Sequence, residues 1–273
     1  MKTIKLAVLA TAALLAAAAC TPQKKQVVIP PEVASSDEAL FREGERLMKR
    51  DPERALLYFR QIQESFSRSF FAQRAMLAIG DTYFKQGDEA NMILAAAQYR
   101  SFLNLYPTSP SAPLAQYRIG LCSYENMLKA GRDQTKTEEA LAEFKKTIQL
   151  FPLAEEAKLA REKLKECEDR LAEHLFGIGD YYYRAKSYKS AIVRLNEILL
   201  KYPLFPNMDK VYFGLGDSFF LWGKQPESVP YFTKLVTDYG TSKYGVKAQK
   251  RLKEIEAAKM KAPAASAPAP VKK

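Results

Sequence analysis

The feature that most constrains this chain is a short pattern that recurs along it. A glycine sits inside one helical stretch, a small residue inside the next, and a proline where that second stretch ends. The clearest copy places Leu175, Ile178, Gly179 and Tyr182 ahead of Ala191, Leu195 and Pro203. Met76, Ile79, Gly80, Tyr83, Ala95, Tyr99 and Pro107 repeat it with three extra residues between the helices; Ile119, Gly120, Ala140, Phe144 and Pro152 repeat it with eight extra. Tyr212, Leu215, Gly216, Phe219, Ser228 and Phe232 follow it with Gly240 in the proline's place, and Leu40, Gly44, Leu47, Ala55 and Phe59 make a degenerate first copy. Gly-Asp returns at the same repeat position at 80–81, 179–180 and 216–217, which an ordinary helical bundle with accidental glycines does not explain.

Each residue type has a physical reason. Glycine in the first helix and alanine in the second are expected where two antiparallel helices approach most closely, because a larger side chain would force their axes apart. Aromatic residues fill what remains. Proline lacks an N–H and disfavours helix in the residue before it, so it should end the second helix at Pro107, Pro152 and Pro203. The spacing fits the tetratricopeptide-repeat template. The expected fold class is therefore all-α, an α-solenoid of about five helix-turn-helix repeats, with ten helices and no strand alternation. Residues 129–136 should form a surface loop within the third repeat. Residues 154–185 carry no proline or turn cluster, and should form one helix that joins the third repeat to the fourth as a rigid strut. Residues 243–260 read as a polar-faced closing helix, which a solenoid needs because its last unit has no neighbour.

The ends differ in character. Lys2 and Lys5 precede a run of apolar residues broken only by Thr11, too short to span a bilayer as a helix, so residues 1–19 read as a cleaved secretory signal. Cys20 follows Ala17-Ala18-Ala19 and resembles the lipobox cysteine of bacterial lipoproteins, with Ala17 where leucine is usual. Ordinary cleavage that leaves a bare Cys20 is the alternative. Thr21 is not the aspartate that resembles an inner-membrane retention signal, which points to the outer membrane. Residues 20–36 then form a lipidated, flexible tether, 37–152 the first three repeats, 153–260 the connecting helix, the last two repeats and the closing helix, and 261–273 a disordered Ala/Pro/Lys tail.

Charge and chemistry narrow the function. Of the formal +11, Lys2 and Lys5 belong to the signal and Lys259, Lys261, Lys272 and Lys273 to the tail, and the remaining excess is diffuse. Nucleic-acid binding would need clustered basic residues interleaved with aromatics, so none is expected. The chain has one histidine, His174, and no nucleophile-elbow, phosphate-loop or metal-hydrolase motif. No catalytic residue, no metal and no cofactor beyond a lipid on Cys20 are expected, and a non-enzymatic protein follows. Cys122 and Cys167 fall on helices, as two buried thiols or, in an oxidising compartment, a disulfide.

Counting from the template, the first helices of the amino-terminal repeats line a concave surface with Phe41, Arg74, Leu77, Asp81, Phe84, Lys85, Tyr117 and Tyr124. That mixture suits an extended peptide, with Arg74 or Lys85 pairing a terminal carboxylate. In the carboxy-terminal half the corresponding positions bring Arg184, Phe213, Asp217 and Phe220 to a second surface, a candidate for partner docking.

Several segments together resemble the BamD family, lipoproteins of the machinery that folds β-barrels into the outer membrane. They are the lipoprotein-like start, Arg132-Asp133-Gln134-Thr135 followed by Ala140 and Phe144, and Asp169-Arg170-Leu171-Ala172-Glu173-His174. Tyr181-Tyr182 and Ala191-Ile192-Val193-Arg194 through Tyr202-Pro203 continue the likeness, which spans roughly residues 36–253. The resemblance implies an outer-membrane, lipid-anchored, periplasm-facing scaffold. Its amino-terminal repeats would bind the carboxy-terminal segments of unfolded outer membrane proteins, and its carboxy-terminal repeats would dock a BamA-like barrel subunit beside other assembly lipoproteins. Arg194 matches a family arginine. The competing reading of the same architecture is a pilotin-like or Tol-associated repeat lipoprotein.

Overall fold

The computed structural model describes residues 29–261. Among them are twelve helices and no strand: α1 (Pro31–Ala34), α2 (Asp37–Leu47), α3 (Pro52–Ser65), α4 (Phe70–Phe84), α5 (Glu89–Leu105), α6 (Ala112–Tyr124), α7 (Thr135–Leu150), α8 (Glu155–Arg184), α9 (Tyr188–Lys201), α10 (Met208–Leu221), α11 (Gln225–Tyr239) and α12 (Lys243–Lys261). The fold is the expected all-α repeat architecture, with α2 to α11 as five helix pairs. The signal, Cys20 and the tail beyond Lys261 lie outside the described residues. One part of the expected tether does not read as such: residues 31–34 are helical, and the Ser36 hydroxyl caps α2 by accepting the Ala39 N–H at 3.3 Å.

Packing divides the chain into two compact units, Met1–Thr82 and Tyr83–Lys273, the division falling inside α4. In the first, α2 packs along α3. In the second, each helix from α5 to α12 packs on the next in sequence, and α6, α8, α10 and α12 also touch in series. The closing helix thus takes the place that the first helix of a sixth repeat would have. Its Ala248 and Ile255 complete a core with Phe232 and Leu235.

The local signals explain the element ends. Tyr106, Phe151 and Tyr202 cap α5, α7 and α9 with nearly the same backbone, φ −132° and ψ 56°, −132° and 56°, and −133° and 58°, each just before its proline. The turns inside the second, fourth and fifth repeats are left-handed at Gly87 (φ 80°), Lys186 (φ 59°) and Gly223 (φ 83°). The connecting helix α8 is 30 residues long, as the absence of breakers predicts.

Two expectations need correction. The repeat glycine is covered by the large residue of the second helix. A Cβ on Gly120 would stand 2.6 Å from the Phe144 ring and one on Gly179 2.8 Å from Leu195, and Gly44 and Gly216 meet Phe59 and Phe232 in the same way. The glycine therefore makes room for a ring or a leucine rather than for a second backbone. The connection within the third repeat is 125–134 rather than 129–136, because α6 already ends at Tyr124 and Thr135 and Lys136 belong to α7. The Asp133 carboxylate accepts the Thr135 N–H at 3.0 Å and so starts that helix early.

Candidate functional site

In the first unit the aromatic residues of α2 and α4 form one cluster. Phe41 is 4% exposed, with its ring 5.6 Å from Phe59 and 5.4 Å from Phe71. It belongs to the core rather than to a groove surface, because it lies in the buried stripe of α2 with Leu40, Gly44 and Leu47. What is presented is the layer above it. The exposed Arg74 guanidinium lies 4.4 Å from the Phe41 ring, 5.4 Å from Phe71 and 5.8 Å from Phe70, and Phe70 itself is 73% exposed. Arg74 makes no ion pair among the described residues. Stacked on rings, a guanidinium keeps its edge N–H donors turned outward, the geometry that suits a carboxylate. Leu77 and Asp81 follow on the same helix, both half-buried. Sequence reasoning passed over Phe70; its spacing four residues before Arg74 was the available signal.

In the second unit, Phe84 is half-buried and Lys85 exposed at the end of α4. Tyr117 and Tyr124 do not line an open surface. Their rings pack on Phe144 at 5.7 and 6.0 Å, and α8 closes over them. The Tyr124 hydroxyl donates to the Glu166 carboxylate and accepts from Lys163 Nζ at 3.1 Å, while Lys163 pairs Glu166 at 3.0 Å. This triad braces the third repeat against the connecting helix. Tyr124's hydrogen bond and the Lys163 ammonium hold the Glu166 carboxyl below its usual range.

A second brace lies further along α8. Arg170 Nη1 donates to the Leu128 carbonyl at 2.5 Å, and His174 Nδ1 lies 2.7 Å from the Ala130 carbonyl. Inside the loop the buried Gln134 amide donates to the carbonyls of Lys129, Arg132 and Asp133 at 3.0, 2.9 and 3.2 Å, and its Oε1 accepts from Thr137 at 2.9 Å. A single side chain thus fills the centre of the loop, and two more pin it to the helix. The sequence segments around Gln134 and Arg170 are 36 positions apart in the chain and adjacent in space. His174 is in this way a structural tie.

The carboxy-terminal candidates separate into two groups. Arg184 is exposed and pairs Asp180 at 2.8 Å. Arg194 is exposed and shares Glu197 with Lys201, at 3.5 and 2.6 Å. Asp217 is not available for docking, because α12 covers it, and Phe220 is half-buried against α12. Asp217 is 2% exposed, receives Arg251 Nε at 2.7 Å and accepts the Tyr183 hydroxyl at 2.5 Å, and the Arg251 guanidinium lies 4.4 Å from the Phe220 ring. Burial and then the neighbouring Asp217 carboxylate push the Tyr183 phenol upward, so it stays a donor. Phe213 is half-buried against Phe232 and Tyr244, with one face left to a cavity. The closing helix was legible in the sequence, but the residues it would cover were not, because nothing local says which face of α10 it takes.

No group of three His, Cys, Asp or Glu side chains among the described residues is placed to hold a metal, and no described helix is long and apolar enough to cross a membrane. The YfiO family, described as outer membrane lipoprotein, matches residues 33–216. The chain belongs to this family. The outer membrane protein assembly factor BamD of Caulobacter vibrioides is 29% identical over 192 residues, which cover 70% of this chain and 62% of that protein. The factor of the same name from Haemophilus influenzae is 27% identical over 214 residues, covering 74% and 78%. The match to the Caulobacter protein thus spans about three fifths of that relative's length. A solved structure of the TPR2AB domain of yeast Sti1 is similar at 14% identity, covering 82% of this chain and 87% of that one with a TM-score of 0.42. The family match includes the Gln134 loop, the connecting helix and Arg194, and ends just before Asp217. The Asp217–Arg251 pair and α12 lie beyond the matched residues.

Proposed function

We propose that this chain is a non-enzymatic scaffold of the machinery that folds β-barrel proteins into the outer membrane. The observation that carries the reading is the match to the outer membrane lipoprotein family over residues 33–216, together with relatives named as outer membrane protein assembly factors. In this reading Cys20 carries the lipid that holds the chain on the periplasmic face of the outer membrane, and residues up to the first helices are the tether. No other cofactor and no metal takes part.

The amino-terminal repeats receive the carboxy-terminal segment of an unfolded barrel protein. Arg74, supported by the rings of Phe41, Phe71 and the exposed Phe70, offers N–H donors to a carboxylate and an apolar rest for a large side chain. The carboxy-terminal repeats dock the BamA-like barrel subunit and other assembly lipoproteins, with Arg184 and Arg194 as exposed cations on that half. Within the second unit, the braces at Tyr124 and Arg170 hold the third repeat and its loop on α8, so that binding there needs little ordering of the scaffold.

Depletion of the protein in its native cell tests the reading. Folded outer-membrane barrels, scored by their heat-modifiable migration, should fall while unfolded precursors accumulate in the periplasm. Unchanged barrel levels after full depletion would overturn it.

A further inference from the structure

A cavity of about 220 Å³ opens between the fourth repeat, the fifth repeat and the closing helix, and its walls have a consistent chemistry. Phe176, Leu195, Phe213 and Tyr244 make it apolar, and Lys210 and Lys247 stand in its lining. Its volume is below the roughly 300–1,000 Å³ of small-molecule and cofactor sites, and suits a single bulky side chain.

The charges of the cavity do not cancel. Its one carboxylate, Asp180, is engaged by Arg184 at 2.8 Å, and the Tyr183 hydroxyl is committed to Asp217. Lys247 Nζ lies 5.4 Å from the Phe213 ring and 5.5 Å from the Tyr244 ring, held over the aromatic wall. On its other side Lys247 lines a depression with Asp217 and Glu254, and both of those carboxylates are taken by Arg251, at 2.7 and 2.9 Å. Neither Lys210 nor Lys247 makes an ion pair among the described residues. The same holds for Lys250, which lines the adjoining depression one turn further along α12. An apolar hole flanked by uncompensated ammonium groups attracts a segment that brings the opposite charge with its apolar side chain.

We infer that this cavity is a docking site for an acidic polypeptide segment of a partner, one that inserts a bulky apolar side chain between Phe176, Phe213 and Tyr244 while flanking carboxylates pair with Lys210 and Lys247. The occupant is not this chain's own end. Residues 1–28 and 262–273 contain lysines and neither aspartate nor glutamate, so their charge opposes the site. The inference stands on the cavity and its charges, independent of the proposed role in barrel assembly.

The test uses the full chain and three labelled synthetic peptides: a phenylalanine flanked by glutamates and aspartates, the same peptide with alanine for phenylalanine, and the same with lysines for the acids. Fluorescence anisotropy should show the first binding, and the other two weaker by roughly tenfold or more, the worth of one charge-assisted contact or one buried ring. Lys247→Glu, on the exposed face of α12, and the milder Lys247→Gln should each weaken the first peptide, with an unchanged melting curve confirming that the variant is folded. Benzoylphenylalanine at the apolar position should cross-link to α10 or α12. Equal binding of the alanine peptide would reduce the effect to diffuse attraction and overturn the inference, as would insensitivity to Lys247 or cross-links elsewhere. Self-association that Lys247→Glu abolishes would assign the cavity to a second copy, and would also overturn it.

Discussion

At the scale of single residues, the repeat glycines are the most exposed to test. Gly179 lies under Leu195, so Gly179→Leu overpacks that contact and should lower stability by about 1–3 kcal/mol, read as a drop of several degrees in the melting temperature. Lys186 holds the left-handed turn position that glycine holds in two other repeats, and Lys186→Gly should raise the melting temperature slightly, by about 0.5–1 kcal/mol of relieved strain. Asp217→Ala leaves the Tyr183 hydroxyl and Arg251 Nε without their acceptor, while Arg251 Nη1 keeps Glu254 at 2.9 Å. Arg251 keeps 28% side-chain exposure and can reach water, which places the loss at about 3 kcal/mol, the lower end for a broken buried pair. Burial pushes the Cys167 thiol up to about 12 from an ordinary 9.0. Its contribution to stability is therefore complete below about pH 9, and is lost as pH rises through that window toward 12. Thiol alkylation near pH 8 should leave native Cys167 untouched and modify it on unfolding. Cys122 and Cys167 are both buried thiols and form no disulfide with each other.

At the scale of elements, how legible each feature was in the sequence follows from how local its cause is. The ends of α5, α7 and α9 were legible because proline acts on its immediate neighbour, and α8 was legible because nothing in its sequence breaks a helix. Phe41 was misassigned because the template gives a position on the helix but not what covers it. Tyr117, Tyr124, Asp217 and Phe220 failed as open-surface residues for the same reason: a helix distant in sequence packs over each pair. The loop before α7 was seen as an insertion, while its order, which rests on the buried Gln134 amide, was not. Arg170→Ala should leave the loop tied to α8 through His174 alone and raise amide exchange across residues 125–134, without changing exchange in α10 or α11. Gln134→Ala should have a larger effect, because it takes the side-chain donor from the Arg132 and Asp133 carbonyls and leaves the Lys129 carbonyl only the Arg132 N–H.

At the scale of the whole molecule, each of the two compact units offers a presented surface: Arg74 with Phe70 in one, the exposed arginines of α8 and α9 in the other. If Cys20 carries the anchor, Cys20→Ser should move the mature protein from the membrane fraction to the soluble periplasm. Retention on stripped membranes would point to anchoring through protein contacts alone. The most direct measurement for the central claim is affinity purification of the tagged chain from gently solubilised envelopes, with the co-purifying proteins identified by mass spectrometry. The account predicts recovery of a barrel protein that carries repeated periplasmic domains, and recovery of a secretin or a Tol component in its place would contradict the assembly role while leaving the fold intact.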